Sequence, residues 1–481
     1  MNLDNIIINN KADLRAALES LTRSGLGIVF IVDSSTKLLG ILTDGDIRKH
    51  LLIDNDLSIS VEKIMNTKFF SLKIETSVAE ILSSFSYTLK VIPLLDEDGI
   101  IIDYATRDRV KSIPIASPYL EGNELKYITD CIKSNWISSS GKYIDKFESL
   151  FKKYHNGRES ITVSNGTNAL HLALLSLGIK KGDEVIVPNL TFAATINSII
   201  YTGATPVLAD IKEDSLNINI ESIIDKITSK TRAILIVHLY GNPCEMNEIV
   251  KISKKHKLLL IEDCAEAIGS EYGGQKVGTF GDVATFSFFG NKTITTGEGG
   301  MVVFKSLKTS IFARELRDHG MSKNKKYWHN HIGYNYRMTN LQAAIGVAQF
   351  EKLDKFVTRK REIANKYSEF LSKYKFFRLP KEEYGTKHSY WLYNLSLLKG
   401  SPFDKNDIIN YLMKSAIETR PIFFPLGDMP PYKKYCGKDN LSASKRISKN
   451  SFSLSTSYNL TDKDVNYILN KISEFTKLKS S

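Results

Sequence analysis

The sequence predicts an α/β protein with a mainly parallel sheet, preceded by a smaller α+β unit. In the long part of the chain that begins near residue 119, short apolar strands alternate with helical segments. The segments that directly follow those strands carry nearly all of its unusual polar side chains. The first 115 residues, in contrast, contain two similar halves. Because ligands bind beyond the carboxyl ends of parallel strands, the polar segments predict a ligand site at one edge of the sheet.

Length and composition indicate a globular protein of several domains. The chain has 481 residues, of which 42% are hydrophobic and 25% are charged, and one core rarely serves a chain of that length. We expect an N-terminal module at residues 1–115, a large domain at 116–360 and a small C-terminal domain at 361–481. Residues 113–118 form the linker between the first two, because their two prolines prevent regular strand pairing.

Charge, targeting features and cysteines exclude several classes of function. The net charge of +12 comes from lysines spread along the chain, without the basic and aromatic pattern of a nucleic-acid-binding module. No apolar run approaches the length of a membrane span and the N-terminus has no signal pattern, so we expect no membrane association and a cytoplasmic location. The four cysteines form no CxxC pair, which disfavours a disulfide framework and a metal site.

The N-terminal module repeats one order of elements. Its predicted helices lie at residues 11–24, from 44 onward and at 78–86, and its predicted strands lie at 27–32, 38–43, 91–95 and 100–104. A turn that begins with an aspartate, Asp33 or Asp96, separates the two strands of each half. A repeat of about 55 residues argues for two copies of one module packed together.

Residues 40–48 (GILTDGDIR) resemble a tandem cystathionine-β-synthase-type (CBS) pair. The resemblance implies an adenine nucleotide whose ribose hydroxyls bind to Thr43 and Asp46, since a hydroxyl and a carboxylate suit a diol. In the second half, residues 102–105 stand at the matching place, which speaks against a second equivalent site. A dimerisation or docking module without a ligand is an equal alternative.

The large domain alternates strands with helices in chain order. Its predicted helices lie at residues 121–134, 144–154, 164–177, 192–202, 220–227 and 246–256, and its predicted strands at 161–163, 184–188, 206–210, 233–239, 258–262, 285–289 and 301–304. Helices of this length between strands are typical of crossover connections in a parallel sheet.

Four features at the strand ends together fit one cofactor, although each also has an ordinary explanation. Lys292 lies in a loop between two apolar runs, where its amine can form a Schiff base with an aldehyde or can face solvent. Residues 164–167 (SNGT), at a helix start, suit a phosphate that Gly166 can approach closely, or form an ordinary N-cap with Ser164 or Asn165. Asp263 suits a protonated ring nitrogen or a helix cap, and Phe192 suits a flat ring or the core. The combination is what pyridoxal phosphate requires.

Five segments resemble the DegT/DnrJ/EryC1/StrS group of nucleotide-sugar aminotransferases. They are residues 136–141 (WISSSG), 164–170 (SNGTNAL), 262–267 (EDCAEA), 286–300 (FSFFGNKTITTGEGG) and 333–340 (GYNYRMTN). The resemblance covers residues 115 to about 475. It implies the aspartate-aminotransferase-like type I fold of pyridoxal-phosphate enzymes.

The resemblance also implies roles for single residues. Lys292 would bind the aldehyde of the cofactor, Asp263 its ring nitrogen and Phe192 one face of its ring. The remaining implied cofactor contacts are Gly166, Thr167 and Ser287 at the phosphate, Glu266 beside the ring substituents, and Asn335 at the phosphate of the neighbouring subunit. The last contact implies a homodimer or a higher oligomer with shared active sites.

Contacts with the substrate are less specific. The candidates are Arg337, His329, His331 and Arg420, since cationic groups suit sugar and phosphate oxygens. Each is equally compatible with a structural salt bridge or a core position. Relatives commonly have histidine where this chain has Gly427, so the acceptor pocket is expected to differ from theirs.

The implied reaction moves an amino group from glutamate to carbon 4 of a nucleotide-linked 4-keto-6-deoxy sugar, for surface polysaccharide or glycan biosynthesis. A GDP-linked mannose derivative is the leading candidate. Two alternatives are a pyridoxamine-phosphate-dependent sugar 3-dehydrase, in which histidine replaces the lysine, and a non-enzymatic sensor of nucleotide and cofactor. Lys292 speaks against the first alternative, and the intact set of cofactor residues speaks against the second.

Overall fold

The computed structural model describes residues 3–107, 109–110, 112–322, 324–437 and 441–480. They form two compact units. One unit holds the residues up to 113 together with 410–417, and the other holds residues 114–409 and those from 418 onward. In the part of the chain that the structure describes, no helix is both long and apolar enough to cross a membrane.

The N-terminal unit contains two small sheets. Its elements are β1 (Ile7–Asn9), α1 (Leu14–Ser24), β2 (Ile28–Val32), β3 (Leu38–Thr43), α2 (Asp44–Leu51), β4 (Leu72–Lys73), α3 (Val78–Ser84), β5 (Val91–Leu95) and β6 (Ile101–Thr106). The sheets have the orders β1-β2-β3 and β4-β5-β6, and in each the first pair is parallel and the second antiparallel. This common topology supports the predicted repeat.

The strand registers of the two sheets show which residues of the two halves are equivalent, and they differ from the alignment predicted from the sequence. Thr43 pairs with Ile28 and Thr106 pairs with Val91, so Thr106, rather than Ala105, is the counterpart of Thr43. The alignment predicted from the sequence, which ends at Ala105, is therefore displaced by one residue from the observed one. An apolar run alone does not determine strand register.

The counterpart of Asp46 is a cation. The backbone N–H of Arg109 donates to the Thr106 hydroxyl at 3.2 Å, just as the N–H of Asp46 donates to the Thr43 hydroxyl at 3.2 Å. The Arg109 guanidinium is paired with Asp103 at 2.8 Å. At this position the second half therefore has a guanidinium group where the first half has a carboxylate.

The second unit contains a seven-stranded sheet. Its seven strands are β7 (Glu159–Val163), β8 (Glu184–Pro188), β9 (Thr205–Ala209), β10 (Thr231–Val237), β11 (Leu259–Asp263), β14 (Val283–Ser287) and β15 (Gly300–Phe304). A separate small sheet contains β12 (Glu271–Tyr272) and β13 (Gln275–Lys276), two short strands of the same part of the chain. The helices there are α4 (Glu124–Lys133), α5 (Lys142–Tyr154), α6 (Gly166–Ser176), α7 (Ala193–Tyr201), α8 (Ile220–Asp225), α9 (Met246–His256), α10 (Leu307–Arg317), α11 (Asn340–Phe350) and α12 (Leu353–Leu371).

The large sheet is mainly parallel, as predicted. Its order is β7-β15-β14-β11-β10-β8-β9, and only β15 runs antiparallel to its neighbours β14 and β7. Both faces are buried: in β10, Leu235 belongs to one hydrophobic cluster and its neighbours Ile234 and Ile236 belong to another. Burial on both faces explains the continuous apolar runs of these strands.

The C-terminal part adds a four-stranded antiparallel sheet of order β16-β18-β20-β19. Its elements are β16 (Phe377–Arg378), β17 (Thr386–Lys387), β18 (Tyr393–Leu397), α13 (Lys405–Lys414), β19 (Arg420–Pro421), α14 (Ser442–Asn450), β20 (Ser451–Leu454) and α15 (Asp462–Ser480). Strand β17 pairs instead with β12 of the preceding part. Helix α12 runs across residue 360, where the sequence placed a domain boundary.

Candidate active site

Asp263 is the last residue of β11, and its buried carboxylate is held by two donors. The Thr195 hydroxyl donates to Oδ2 at 2.9 Å, and the Ala265 N–H donates to Oδ1 at 3.1 Å. Burial raises the pKa of Asp263, and these two hydrogen bonds together with the charge of Lys292 only partly oppose that effect. A carboxylate in this state gains from a facing cation, such as a protonated ring nitrogen.

Lys292 lies in the loop between β14 and β15, and its side chain is only 13% exposed. Its Nζ atom lies 3.4 Å from Oε1 of Glu266 and 3.8 Å from the centre of the Trp391 ring. Burial raises the pKa of Glu266, and the nearby Lys292 charge opposes that rise. The structure thus brings the predicted lysine and Glu266 together in a largely desolvated place.

The start of α6 lies against the end of β14. The Asn165 side chain caps the helix by accepting from the N–H of Asn168 at 2.8 Å. A Cβ atom on Gly166 would lie only 2.8 Å from Cβ of Ser287, so glycine is required for this close approach. Gly166, Thr167 and Ser287 therefore share one place at a helix N-terminus, where the helix dipole favours an anion.

Phe192 is not a core residue. It is the N-cap of α7, directly beyond the end of β8, and 59% of its surface is exposed. Its ring lies 5.9 Å from that of Phe423. An exposed ring at this edge is available to cover a flat heterocycle.

Three of the four substrate candidates lie near one another, around residues 315–319. Arg337 pairs with Asp318 at 2.8 Å, and its Nε donates to Oδ1 of the exposed Asn335 at 3.1 Å. His329 donates to the carbonyl of His319 at 2.8 Å, and His331 lies 3.7 Å from Glu315. The polar partners of these three candidates are Glu315, Asp318, His319 and Asn335. Among the described residues, none of the three forms a polar contact with Lys292 or Asp263.

Arg420 and Gly427 lie in the C-terminal part. Arg420 pairs with Ser453 across β19 and β20, and its charge acts on the buried Tyr240. The N–H of Gly427 donates to Oδ1 of Asn189 at 2.8 Å, and a Cβ atom there would lie 3.0 Å from Sγ of Cys436. Gly427 is thus closely packed, and a larger side chain would displace its neighbours.

Thr43 and Asp46 form a capping box at the start of α2. The Thr43 hydroxyl lies 2.6 Å from Oδ2 of Asp46, which also accepts the N–H of Thr43 at 3.0 Å. The two side chains satisfy each other, so a ribose would have to compete with this cap.

Beneath Asp263 lies a buried group of His238, Glu262 and Cys264, whose ligand-type atoms all lie within 4.8 Å of one another. One ring nitrogen of His238 lies 3.2 Å from Glu262 and the other accepts the N–H of Cys244 at 3.0 Å. Burial would raise the pKa of Glu262, but hydrogen bonds from His238 and the backbone leave it below its ordinary value. Hydrogen bonding thus accounts for the placement of His238 and Glu262.

Three residues of the site were not predicted from the sequence: Thr195, Tyr240 and Trp391. Thr195 had a usable signal, because it lies one helical turn after the strand-end residue Thr191. Tyr240 lies in a polar strand-end segment but looked like any aromatic residue. The indole N–H of Trp391 donates to the carbonyl of Asn291, which lies 100 residues earlier in the chain. No local sequence pattern around Trp391 therefore indicates this contact.

Two family models match the chain. Residues 118–473 match the DegT/DnrJ/EryC1/StrS aminotransferase family, and residues 1–53 and 61–113 match the CBS domain. The chain therefore belongs to the DegT/DnrJ/EryC1/StrS aminotransferase family, with a tandem CBS module at its N-terminus. It is an enzyme of the aminotransferase class.

Similar proteins support the same fold. The chain is 46% identical over 366 residues to GDP-perosamine synthase from Escherichia coli O157:H7, which covers 76% of this chain and 99% of that protein. The solved structure of Helicobacter pylori PseC, an aminotransferase involved in the biosynthesis of pseudoaminic acid, is 27% identical with a TM-score of 0.73, covering 76% of this chain and 100% of that chain. The PLP form of Spr1654 from Streptococcus pneumoniae is 26% identical with a TM-score of 0.72, covering 77% and 100%. The predicted aminotransferase fold is confirmed.

Proposed function

We propose that this protein transfers an amino group from glutamate to carbon 4 of a GDP-linked 4-keto-6-deoxy sugar, with pyridoxal phosphate as its cofactor. The observation that carries the proposal is the placement of Lys292 beside Glu266 at the sheet edge where Asp263 ends β11. The high identity to GDP-perosamine synthase over nearly its whole length supports the choice of a GDP-linked acceptor.

The residues at this edge fit pyridoxal phosphate. Asp263 suits a protonated ring nitrogen, because burial raises its pKa and a cation would relieve that cost. The exposed ring of Phe192 suits one face of the cofactor ring. The phosphate fits the N-terminus of α6, where Gly166 approaches Ser287 closely and Thr167 is in the first turn. Lys292 supplies the amine that would bind the aldehyde of the cofactor.

When bound, pyridoxal phosphate supplies an aldehyde that accepts the amino group and a ring that takes up electrons. Asp263 holds the proton on the ring nitrogen. With glutamate bound, Lys292 would take the proton from the α-carbon and pass it to carbon 4′ of the cofactor, and with the keto sugar bound it would carry a proton from that carbon to carbon 4 of the sugar. Glu266, 3.4 Å from Nζ, would stabilise the charged form of Lys292 each time the amine holds that proton. Phe192 excludes water from one ring face.

A panel of nucleotide-linked 4-keto-6-deoxy sugars tests the proposal. Full-length protein with pyridoxal phosphate and glutamate is incubated with GDP-, UDP- and dTDP-linked acceptors, and the products are weighed by mass spectrometry. We expect an amino sugar from the GDP-linked acceptor, and a loss of about a thousandfold in rate in Lys292→Ala. Faster turnover of a UDP- or dTDP-linked acceptor would contradict the assignment of the nucleotide.

The same experiment separates amino transfer from 3-dehydration. A dehydrase product would lack the 3-hydroxyl group and carry no new nitrogen. The presence of Lys292 favours amino transfer, because the dehydrase branch has histidine at this place.

We also propose that the first CBS half binds an adenine nucleotide through Thr43 and Asp46. The exchange of the carboxylate for Arg109 in the second half supports a single site of this kind. Calorimetric titration of the full chain with AMP is expected to give one site per chain, lost in Asp46→Asn. A stoichiometry of two, or unchanged binding in the variant, would contradict it.

We further propose a homodimer in which Asn335 reaches the cofactor phosphate of the neighbouring subunit. Asn335 is exposed, and so are the large apolar side chains of Trp136 and Ile332, at 57% and 92%. Mixing inactive Lys292→Ala with weakened Asn335→Ala chains tests this, because a mixed dimer regains one intact site. Activity no greater than the sum of the two variants would count against shared sites.

A further inference from the structure

The amine of Lys292 has two neighbours of different kinds. One is the Glu266 carboxylate, and the other is the face of Trp391, whose ring centre lies 3.8 Å from Nζ. An ammonium group within about 6 Å of a tryptophan ring centre is attracted to the ring face, most strongly where water is excluded. Lys292 is only 13% exposed, so water competes little for its charge.

Trp391 is fixed in this position from several sides. Its indole N–H donates to the carbonyl of Asn291, the residue before Lys292, at 2.8 Å. Its backbone carbonyl accepts the Thr456 hydroxyl at 2.9 Å and the amine of Lys360 at 3.3 Å. The ring cannot turn away from Lys292 without breaking the bond to Asn291.

Tyr240 connects Trp391 with Glu266. Its N–H donates to Oε2 of Glu266 at 2.8 Å, and its carbonyl accepts the N–H of Trp391 at 3.0 Å. Its ring stacks on the Trp391 ring with centres 5.8 Å apart and planes 13° from parallel. Tyr240 has a φ of 55°, in the left-handed region that bulky residues rarely adopt. Such strain persists where the surroundings over-determine it, as at functional sites.

We propose that Trp391 and Glu266 form a seat for the free ammonium group of Lys292, and that Tyr240 holds both parts of the seat. The inference rests on the proposed function, in which the amine of Lys292 leaves the cofactor, carries a proton and returns. A free ammonium group in a desolvated site needs compensating partners. The seat provides them and keeps the amine within reach of the reacting carbon. Trp391 is thus a positioning residue.

A matched pair of variants isolates the ring face. Trp391→Phe and Trp391→Leu both lose the bond to Asn291, but only Trp391→Phe keeps an aromatic face beneath Nζ. A role in packing alone would affect the two variants alike. Thermal unfolding of each full-length variant gives the comparison of folding.

The test measures how fast Lys292 is acylated in the full-length chain freed of cofactor. Acetic anhydride reacts with neutral amines, and peptide mass spectrometry compares Lys292 with the exposed Lys305 in the same sample. We expect Lys292 to react about three- to thirtyfold faster in Trp391→Leu than in Trp391→Phe, the range of a cation–π contact. Equal rates in the two variants would overturn the proposal.

A second variant keeps the proposal testable if Trp391→Leu does not fold. Glu266→Gln keeps an acceptor for the Tyr240 N–H but removes the charge beside Nζ. We expect faster acylation of Lys292 there as well, and an unchanged rate would overturn the carboxylate's part in the seat. Because these rates are measured without sugar or cofactor, they are independent of whether the proposed amino transfer occurs.

Discussion

Lys360 is a buried lysine whose amine donates to the backbone carbonyl of Trp391. Its Nζ atom has three acceptors at 3.3 Å, the carbonyl of Trp391 and the carbonyl and hydroxyl of Thr456, all of them uncharged. Burial lowers the pKa of Lys360 to about 7 from its ordinary 10.5. The folded chain therefore loses this proton at a pH where the unfolded chain still holds it.

The lowered pKa of Lys360 makes the free energy of unfolding depend on pH. Between about pH 7 and the ordinary lysine value the unfolded state binds more protons, so Lys360 makes stability rise with pH. We expect Lys360→Met to reduce that slope by about 1.4 kcal/mol per pH unit, the effect of one proton. Urea unfolding at pH values near 7 and 9, followed by tryptophan fluorescence, measures it. The three tryptophans all lie in the second unit.

An unchanged slope in Lys360→Met would show that Lys360 titrates normally in the folded chain. The comparison uses the difference between two pH values, so the hydrogen bonds that Lys360→Met loses do not affect it. The absolute stability of the variant is a separate quantity.

At the scale of elements, the start of α6 is the most constrained feature of the site. Gly166→Ala would place a Cβ atom 2.8 Å from Cβ of Ser287, so the helix start and the end of β14 would separate. We expect the affinity for pyridoxal phosphate to fall about tenfold or more, because a displaced helix N-terminus holds a phosphate poorly. Fluorescence titration with the cofactor measures it.

Gly290→Ala is the matched control, since it lies in the loop of Lys292 and a Cβ atom there meets nothing within 4 Å. It is expected to bind the cofactor nearly as the native chain does. Equal affinities for all three proteins would mean that the phosphate does not bind at the start of α6.

Local sequence patterns were sufficient for many elements. Strands β3 and β8 and helix α9 have the predicted bounds. Alternating burial in β3, a continuous apolar run in β8 and an apolar helical stripe in α9 are each bounded by polar or turn-forming residues. The register of β6 was not accessible in this way. Its apolar residues allow two alignments with β3, and only the pairing of Thr106 with Val91 decides between them.

At the scale of the whole molecule, one rule predicted the location of several candidate residues. Polar residues after parallel strands were expected at a common edge, and Asp263, Ser287 and Lys292 do lie there. The seat of Lys292 was not predictable. It depends on Trp391 from a distant part of the chain and on the left-handed backbone of Tyr240, neither of which leaves a local pattern.

In the proposed reaction, one nitrogen atom passes from glutamate to carbon 4 of the sugar. Full-length protein with pyridoxal phosphate is given glutamate labelled with ¹⁵N and a GDP-linked 4-keto-6-deoxy sugar, and the sugar product is weighed by mass spectrometry. We expect ¹⁵N to appear in the sugar with the native chain, and to appear about a thousandfold more slowly with Lys292→Ala. An unlabelled or 3-deoxygenated product from the native chain, or equally fast labelling by Lys292→Ala, would contradict this expectation.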